Sequence, residues 1–170
     1  SFISVHNGMA LGIGGTNVQV ENPGGTENQR FILKKADNSV LDRLAQENKD
    51  AIKDGIYYMR STLKNTSVVQ IKNESTSNGG QAVIHQFDKD SSQQWEITHD
   101  EKGYVTFTNV KSGKVLDVAN GGRNAEKTVW QYAANDSAAQ KWIIKKDGSY
   151  YRVISALNGM SMDVIDEKSA

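Results

Sequence analysis

Three Gln-x-aromatic triplets stand out: Gln29-Arg30-Phe31, Gln93-Gln94-Trp95 and Gln140-Lys141-Trp142. A Gln amide offers two donors and a carbonyl acceptor. It can satisfy buried backbone groups that would each cost about 1–3 kcal/mol if unpaired. A ring two residues on, placed on the same side of a strand by the period-two rule, removes roughly 150–250 Å² from water. That is several kcal/mol at about 25 cal/mol per Å². The triplet is therefore first a structural device. Catalytic residue types are sparse by comparison. His6, His85 and His99 are scattered, without a ligand spacing such as HExxH, and each reads as a surface polar residue. No Ser–His–Asp arrangement is legible, and no two carboxylates fall where glycoside hydrolysis would need them, roughly 5–10 Å apart across a cleft. The chain has no Cys, which removes disulfides, thiol chemistry and cysteine-based zinc sites. The expectation is a protein that is not an enzyme and needs no metal and no cofactor.

The elements that must carry these triplets repeat as well. Phe31, Trp95 and Trp142 are separated by 64 and 47 positions. Upstream of the triplets run Leu11-Gly12-Ile13, Val69-Gln70-Ile71 and Leu116-Asp117-Val118, and a fourth such run follows at Met162-Asp163-Val164. The last three of these runs are 47 and 46 apart. Turn signals recur in step at His6-Asn7-Gly8, Lys111-Ser112-Gly113 and Leu157-Asn158-Gly159. Markers in constant order at a fixed period define a repeat architecture. Within one repeat, GYVTFTNV alternates apolar and polar residues, and KVLDVAN, TVWQYAAN and QKWIIKKD follow as three further short runs. The excess in the 64-residue interval is filled by DNSVLDRLAQENKDAIKD, whose apolar residues fall on one helical face with Asp37 or Asn38 as N-cap. The fold class predicted is all-β, in four-stranded repeats of about 47 residues, with a short amphipathic helix near residues 38–53. The boundaries are repeat 1–36, a helical linker 37–54, and repeats 55–101, 102–148 and an incomplete 149–170.

At 170 residues the chain fits one domain or slightly more and can bury a core without cross-links. Net charge is zero, which argues against a nucleic-acid partner, since that needs a basic face to displace phosphate counterions. No stretch is apolar and long enough to be a transmembrane segment, and no signal-peptide pattern is present. The sequence starts at Ser1-Phe2-Ile3, already apolar, as a processed or excised piece would.

The stretch GYVTFTNVKSGKVLDVANGGRN, with TVWQYAAND and QKWIIKKDGSYYRVIS after it, strongly resembles one repeat of the ricin B-type lectins, the family 13 carbohydrate-binding modules. The likeness covers nearly the whole chain except the helix. It implies a β-trefoil: three four-stranded repeats forming a six-stranded barrel closed by three hairpins, which leaves no open edge. It also implies where a sugar sits. A pyranose needs a charged acceptor for neighbouring hydroxyls, an amide or two, and a flat ring for its C–H face; a carboxylate accepts without donating. In the family these are the Asp of LDV, an aromatic about fifteen positions on, and a polar residue before Gln-x-Trp.

Carried over, the carbohydrate-binding residues of repeat 102–148 are Asp117, Tyr132, Asn135 and Gln140, with Ala139 standing where the family often has Asn. In 55–101 neutral Gln70 replaces the Asp, Phe87 takes the ring position and His85 offers a polar edge. In 1–36 Gly12 and Glu21 replace acid and ring, which leaves that pocket dead. In 149–170 Asp163 is in place, but the sequence stops before the ring. The half-repeat has two readings. The chain is a section of a longer protein, or strands at 16–20 and 28–33 complete the last repeat, within the chain or in a strand-swapped homo-oligomer. The function expected is a non-catalytic lectin-like module for galactose-type or related glycans. It would be secreted, and accompanied by other subunits or domains such as those of toxins or glycoside hydrolases. The alternative is a trefoil interaction scaffold with decayed pockets.

Overall fold

The computed structural model describes residues 10–14, 17–21, 39–63 and 66–164. The chain divides into two compact units, Ser1–Asp37 and Asn38–Ala170. In the first, β1 (Ala10–Gly14) and β2 (Asn17–Glu21) form an antiparallel hairpin that sets Gly12 opposite Gln19 and Ala10 opposite Glu21. The Gln29-Arg30-Phe31 triplet, the strand expected at 28–33 and the N-cap candidates Asp37 and Asn38 lie outside the described residues.

The second unit is a β-trefoil. It holds α1 (Ser39–Asn48) and nine strands: β3 (Gly55–Tyr57), β4 (Ser67–Ile71), β5 (Gly80–Gln86), β6 (Trp95–His99), β7 (Val105–Asn109), β8 (Val115–Val118), β9 (Val129–Tyr132), β10 (Trp142–Asp147) and β11 (Tyr150–Ser155). Strands β3–β6 form one four-stranded repeat and β7–β10 the next. β11 opens a third, whose second segment is marked by the bridge from Ile154 to Ser161. The backbone keeps the repeat as well as the sequence does. Ser61 N donates to Ser67 O, Asn109 N to Lys114 O, and Ser155 N to Met160 O. All pairings are antiparallel, and β5 joins β9 through Gly80 and Gln81 opposite Gln131 and Trp130, which ties the two hairpins together.

The core follows from alternation. In β7, Val105, Phe107 and Asn109 are buried while the intervening threonines are half-exposed. Trp95 and Trp142 are fully buried among Ile71, Ile97, Phe107 and Leu116. Each indole N–H donates to a carbonyl of its own repeat, Val69 O and Leu116 O, both at 3.1 Å. In the two described triplets the Gln reaches the core by a route other than strand alternation. Gln93 and Gln140 end one-turn 3-10 helices, Ser91–Gln93 and Ala138–Gln140, that precede the strands. The turn, not the pleat, aims the amide inward.

The helix is shorter than the apolar pattern suggests and ends at Asn48. The Asn48 side chain donates to Leu44 O at 2.8 Å, an alternative partner for a helical carbonyl that ends the ladder there. Its apolar face is packed. Ala45 is fully buried with Tyr104, Ile143 and Ile154, and Leu41 and Leu44 cover them. The Tyr104 hydroxyl donates to Asp42 Oδ1 at 2.8 Å, and burial together with that acceptor pushes the phenol well above its ordinary value. The helix therefore belongs to the second unit and closes one side of its β7–β10–β11 surface.

Gly103 is what lets α1 approach. Its φ is +87°, and a Cβ there would lie 2.6 Å from Ala45 O. Gly103→Ala is expected to lower the unfolding free energy by about 1–3 kcal/mol through left-handed strain and overpacking together. Gly113→Ala has a φ of +66° but no heavy atom within 4 Å and should cost less. Urea melts of the two variants check this ordering.

Candidate functional site

β8 is buried along its whole length, and Asp117 stands at its third position opposite Trp130 of β9. The Asp117 side chain belongs to a residue only 5% exposed. A carboxylate so placed is costly unless it is hydrogen-bonded. Oδ1 accepts from the Trp130 indole N–H and Oδ2 from the Gln140 amide, both at 2.8 Å. Neither donor is a main-chain amide. A carboxylate has about four acceptor positions, and these two bonds fill only part of that capacity.

Trp130 and Tyr132 alternate with fully buried Gln131, so the two rings share the face of β9 on which Asp117 lies. They stack with centroids 5.8 Å apart and planes 26° apart. Gln131 points the other way. Its amide donates to Ser75 O and Ser77 O at 2.7 and 3.0 Å and its carbonyl accepts from the Ser112 hydroxyl at 2.6 Å, which pins β9 between the repeats. Asp117, Trp130, Tyr132 and Asn135 line one open cleft of about 540 Å³, with Arg123 and Leu157 also on its walls. Gln140 does not line it. It lies behind, 2% exposed, and accepts from Asn135 N at 2.8 Å while donating to Ala133 O at 3.0 Å. It is a positioning residue for both Asp117 and Asn135.

Asp163 stands elsewhere. The Ile154–Ser161 bridge gives it the register of Asp117, but it is exposed, and its Oδ1 accepts from the adjacent Val164 N at 2.8 Å. Among the described residues, none stands to Asp163 as Trp130 and Gln140 stand to Asp117.

The preceding repeat shows the same construction with different chemistry. Gln93 donates to Gln70 Oε1 and to Gln86 O, both at 2.8 Å, the counterpart of Gln140 on Asp117 and Ala133. Val83 lies opposite Gln70, where Trp130 faces Asp117. His85 lies opposite Val68, where Tyr132 faces Val115. The ring position of this repeat is thus His85, not Phe87. Phe87 lies past the end of β5 and packs edge-on against Tyr58 at 4.7 Å. Where the open cleft has Gly121, Ser137 and Leu157, this repeat has Glu74, Asp90 and Lys111, and Lys111 Nζ reaches Glu74 at 2.5 Å and Asp90 at 3.5 Å. An ion cluster spans the place of the opening. In the first unit, the β1–β2 register puts Gly12, Gln19 and Glu21 at the positions of Asp117, Trp130 and Tyr132.

Trp130 and Arg123 lie outside the family pattern that marks Asp117, Tyr132 and Asn135. Trp130 was legible in principle, since it is two residues from Tyr132 in a strand and must share its face. Arg123 comes from a long loop and has no periodic signal.

A barrel-and-hairpin fold with a hairpin cleft of acid, amide and stacked rings defines a lectin-like trefoil. The family model of ricin-type beta-trefoil lectin-like domains matches residues 44–128 and 91–170, and the chain belongs to this family. Among solved structures, the designed threefold-symmetric protein ThreeFoil is 27% identical, with a TM-score of 0.64 over 66% of this chain and 81% of its own. An exo-β-1,3-galactanase from Clostridium thermocellum is 28% identical, with a TM-score of 0.55 over 62% of this chain and 22% of its own. The Rhizoctonia solani agglutinin shares the fold at 17% identity, with a TM-score of 0.61 over 68% of this chain and 78% of its own. No curated protein sequence matches the chain.

The Asp117–Trp130 bond should be energetically coupled. In a double-mutant cycle of Asp117→Asn and Trp130→Phe, the unfolding free energies are expected to be non-additive by about 0.5–3 kcal/mol, as for groups in one hydrogen-bond network. Additivity within error would mean the indole N–H does not hold the acid.

Proposed function

We propose that this chain is a non-catalytic carbohydrate-binding module of a secreted protein, and that it takes one galactose-type residue of a glycan in the Asp117 cleft. The observation that carries this is a buried carboxylate held by Trp130 and Gln140 beside two stacked rings in one open cleft. The free acceptor capacity of Asp117 suits two neighbouring sugar hydroxyls, and charge-assisted bonds of this kind are the stronger class. Tyr132, 38% exposed, offers a flat face for the C–H patch that galactose presents on one side of its ring. Part of an exo-β-1,3-galactanase is among the similar structures, which supports a galactose-type ligand. Asp117 is the one carboxylate among the described residues lining the cleft, while glycoside hydrolysis ordinarily uses two.

One shallow cleft of this kind gives a dissociation constant of about millimolar, and useful adhesion then comes from several copies or a larger parent protein through effective concentration. A second reading, a trefoil interaction scaffold, is favoured by the ion cluster of Glu74, Lys111 and Asp90 that spans the corresponding place in the preceding repeat.

A glycan array followed by titration with galactose and lactose separates the two. Binding should be competed by both sugars. Tyr132→Ala should weaken it about tenfold with the melting temperature kept, and Asp117→Ala should abolish it. No glycan bound by a folded wild-type chain would leave the scaffold reading.

A further inference from the structure

The cleft holds a second charged group that a neutral sugar would not use. Arg123 lies on its wall, exposed, on the loop between β8 and β9. Its Nη1 donates to Leu157 O at 2.9 Å, and Asn158 Nδ2 donates back to Arg123 O at 3.3 Å. The arginine is thus clasped from both ends by the turn of the next repeat. Among the described residues no carboxylate lies within ion-pair distance of it. A guanidinium has five N–H donors in a fixed fork, and the structure assigns one of them to Leu157.

The charges of the cleft are arranged by sign. Asp117 is buried and hydrogen-bonded by two side chains, which disperses its charge toward the protein. Arg123 is the one cation among the described residues lining the cleft. The preceding repeat makes the contrast. There a lysine also stands at the opening, but Glu74 and Asp90 neutralise it. In the Asp117 cleft the corresponding places are Gly121 and Ser137, so nothing there answers the arginine.

We infer that Arg123 is a specificity-determining residue, and that the cleft prefers a galactose-type saccharide bearing an anionic group, a sulfate or a carboxylate, that pairs with its guanidinium. Arginine suits this better than lysine, because its planar fork matches both oxyanions with two parallel bonds. The anion belongs at the edge of the sugar away from the hydroxyls held by Asp117, where the like charge of the acid is farthest. This rests on the sugar-binding reading above.

The test is calorimetric titration of the whole chain, at low and at physiological salt, with methyl galactoside, its 3-sulfate and 6-sulfate, and methyl galacturonide. The wild type should bind at least one anionic ligand about two- to fivefold more tightly than methyl galactoside at low salt, in the range of a partly exposed charge pair. The advantage should shrink as salt rises. In Arg123→Gln the ratio of anionic to neutral affinity should fall to about one, and Arg123→Lys should retain part of it. Melting temperatures of both variants show whether the clasp to Leu157 survives. A preference for sulfate alone or carboxylate alone identifies the source of the charge. Equal binding of neutral and anionic ligands by the wild type, or a preference that survives Arg123→Gln, overturns this inference and leaves the sugar site standing. Binding of none of them overturns both.

Discussion

The hydrogen bond from the Gln140 amide to the Asp117 carboxylate is the contact on which core and cleft both depend. One side chain ends the turn before β10, fixes the Ala133 carbonyl and the Asn135 amide, and holds the acid in place. Two positions later Trp142 fills the barrel. A short segment therefore sets the interior packing and the orientation of the surface group together. Left without Gln140 and Trp130, a buried Asp117 would carry an uncompensated charge, and such groups are among the most destabilising in proteins.

The second constraint is the pinning of the hairpins. Gln131 lies directly between Trp130 and Tyr132 but faces inward, bound to carbonyls of the preceding repeat and to Ser112. The rings stand on one face of β9 and the other face is anchored. The two sides of this four-residue strand thus divide anchoring from display.

The repeat period, the strand content, the buried Gln-x-Trp pairs and the fold family were legible in the sequence, because they rest on local periodicity and on burial, which the residues report directly. The shared cleft of Asp117, Tyr132 and Asn135 followed from the family pattern. Other features were not legible. The register of β4 and β5 decides that His85 rather than Phe87 is the counterpart of Tyr132, and a shift of two positions is invisible to alternation, which would assign both residues to one face. The early end of α1 at Asn48 comes from a side chain competing for a carbonyl, which an apolar pattern does not show. Arg123 enters the cleft through contacts with Leu157 and Asn158, which belong to another repeat.

The pair Gln70–Gln93 repeats the hydrogen bond of the pair Asp117–Gln140 at the same 2.8 Å, with a carboxamide oxygen accepting where the carboxylate oxygen does. A neutral group one methylene longer thus keeps the latch shut. The latch and the charge are chemically separable at this position: the amide of one repeat keeps the hydrogen bond that the acid makes in the next. The charge carried at this position can accordingly differ from repeat to repeat while the frame is kept.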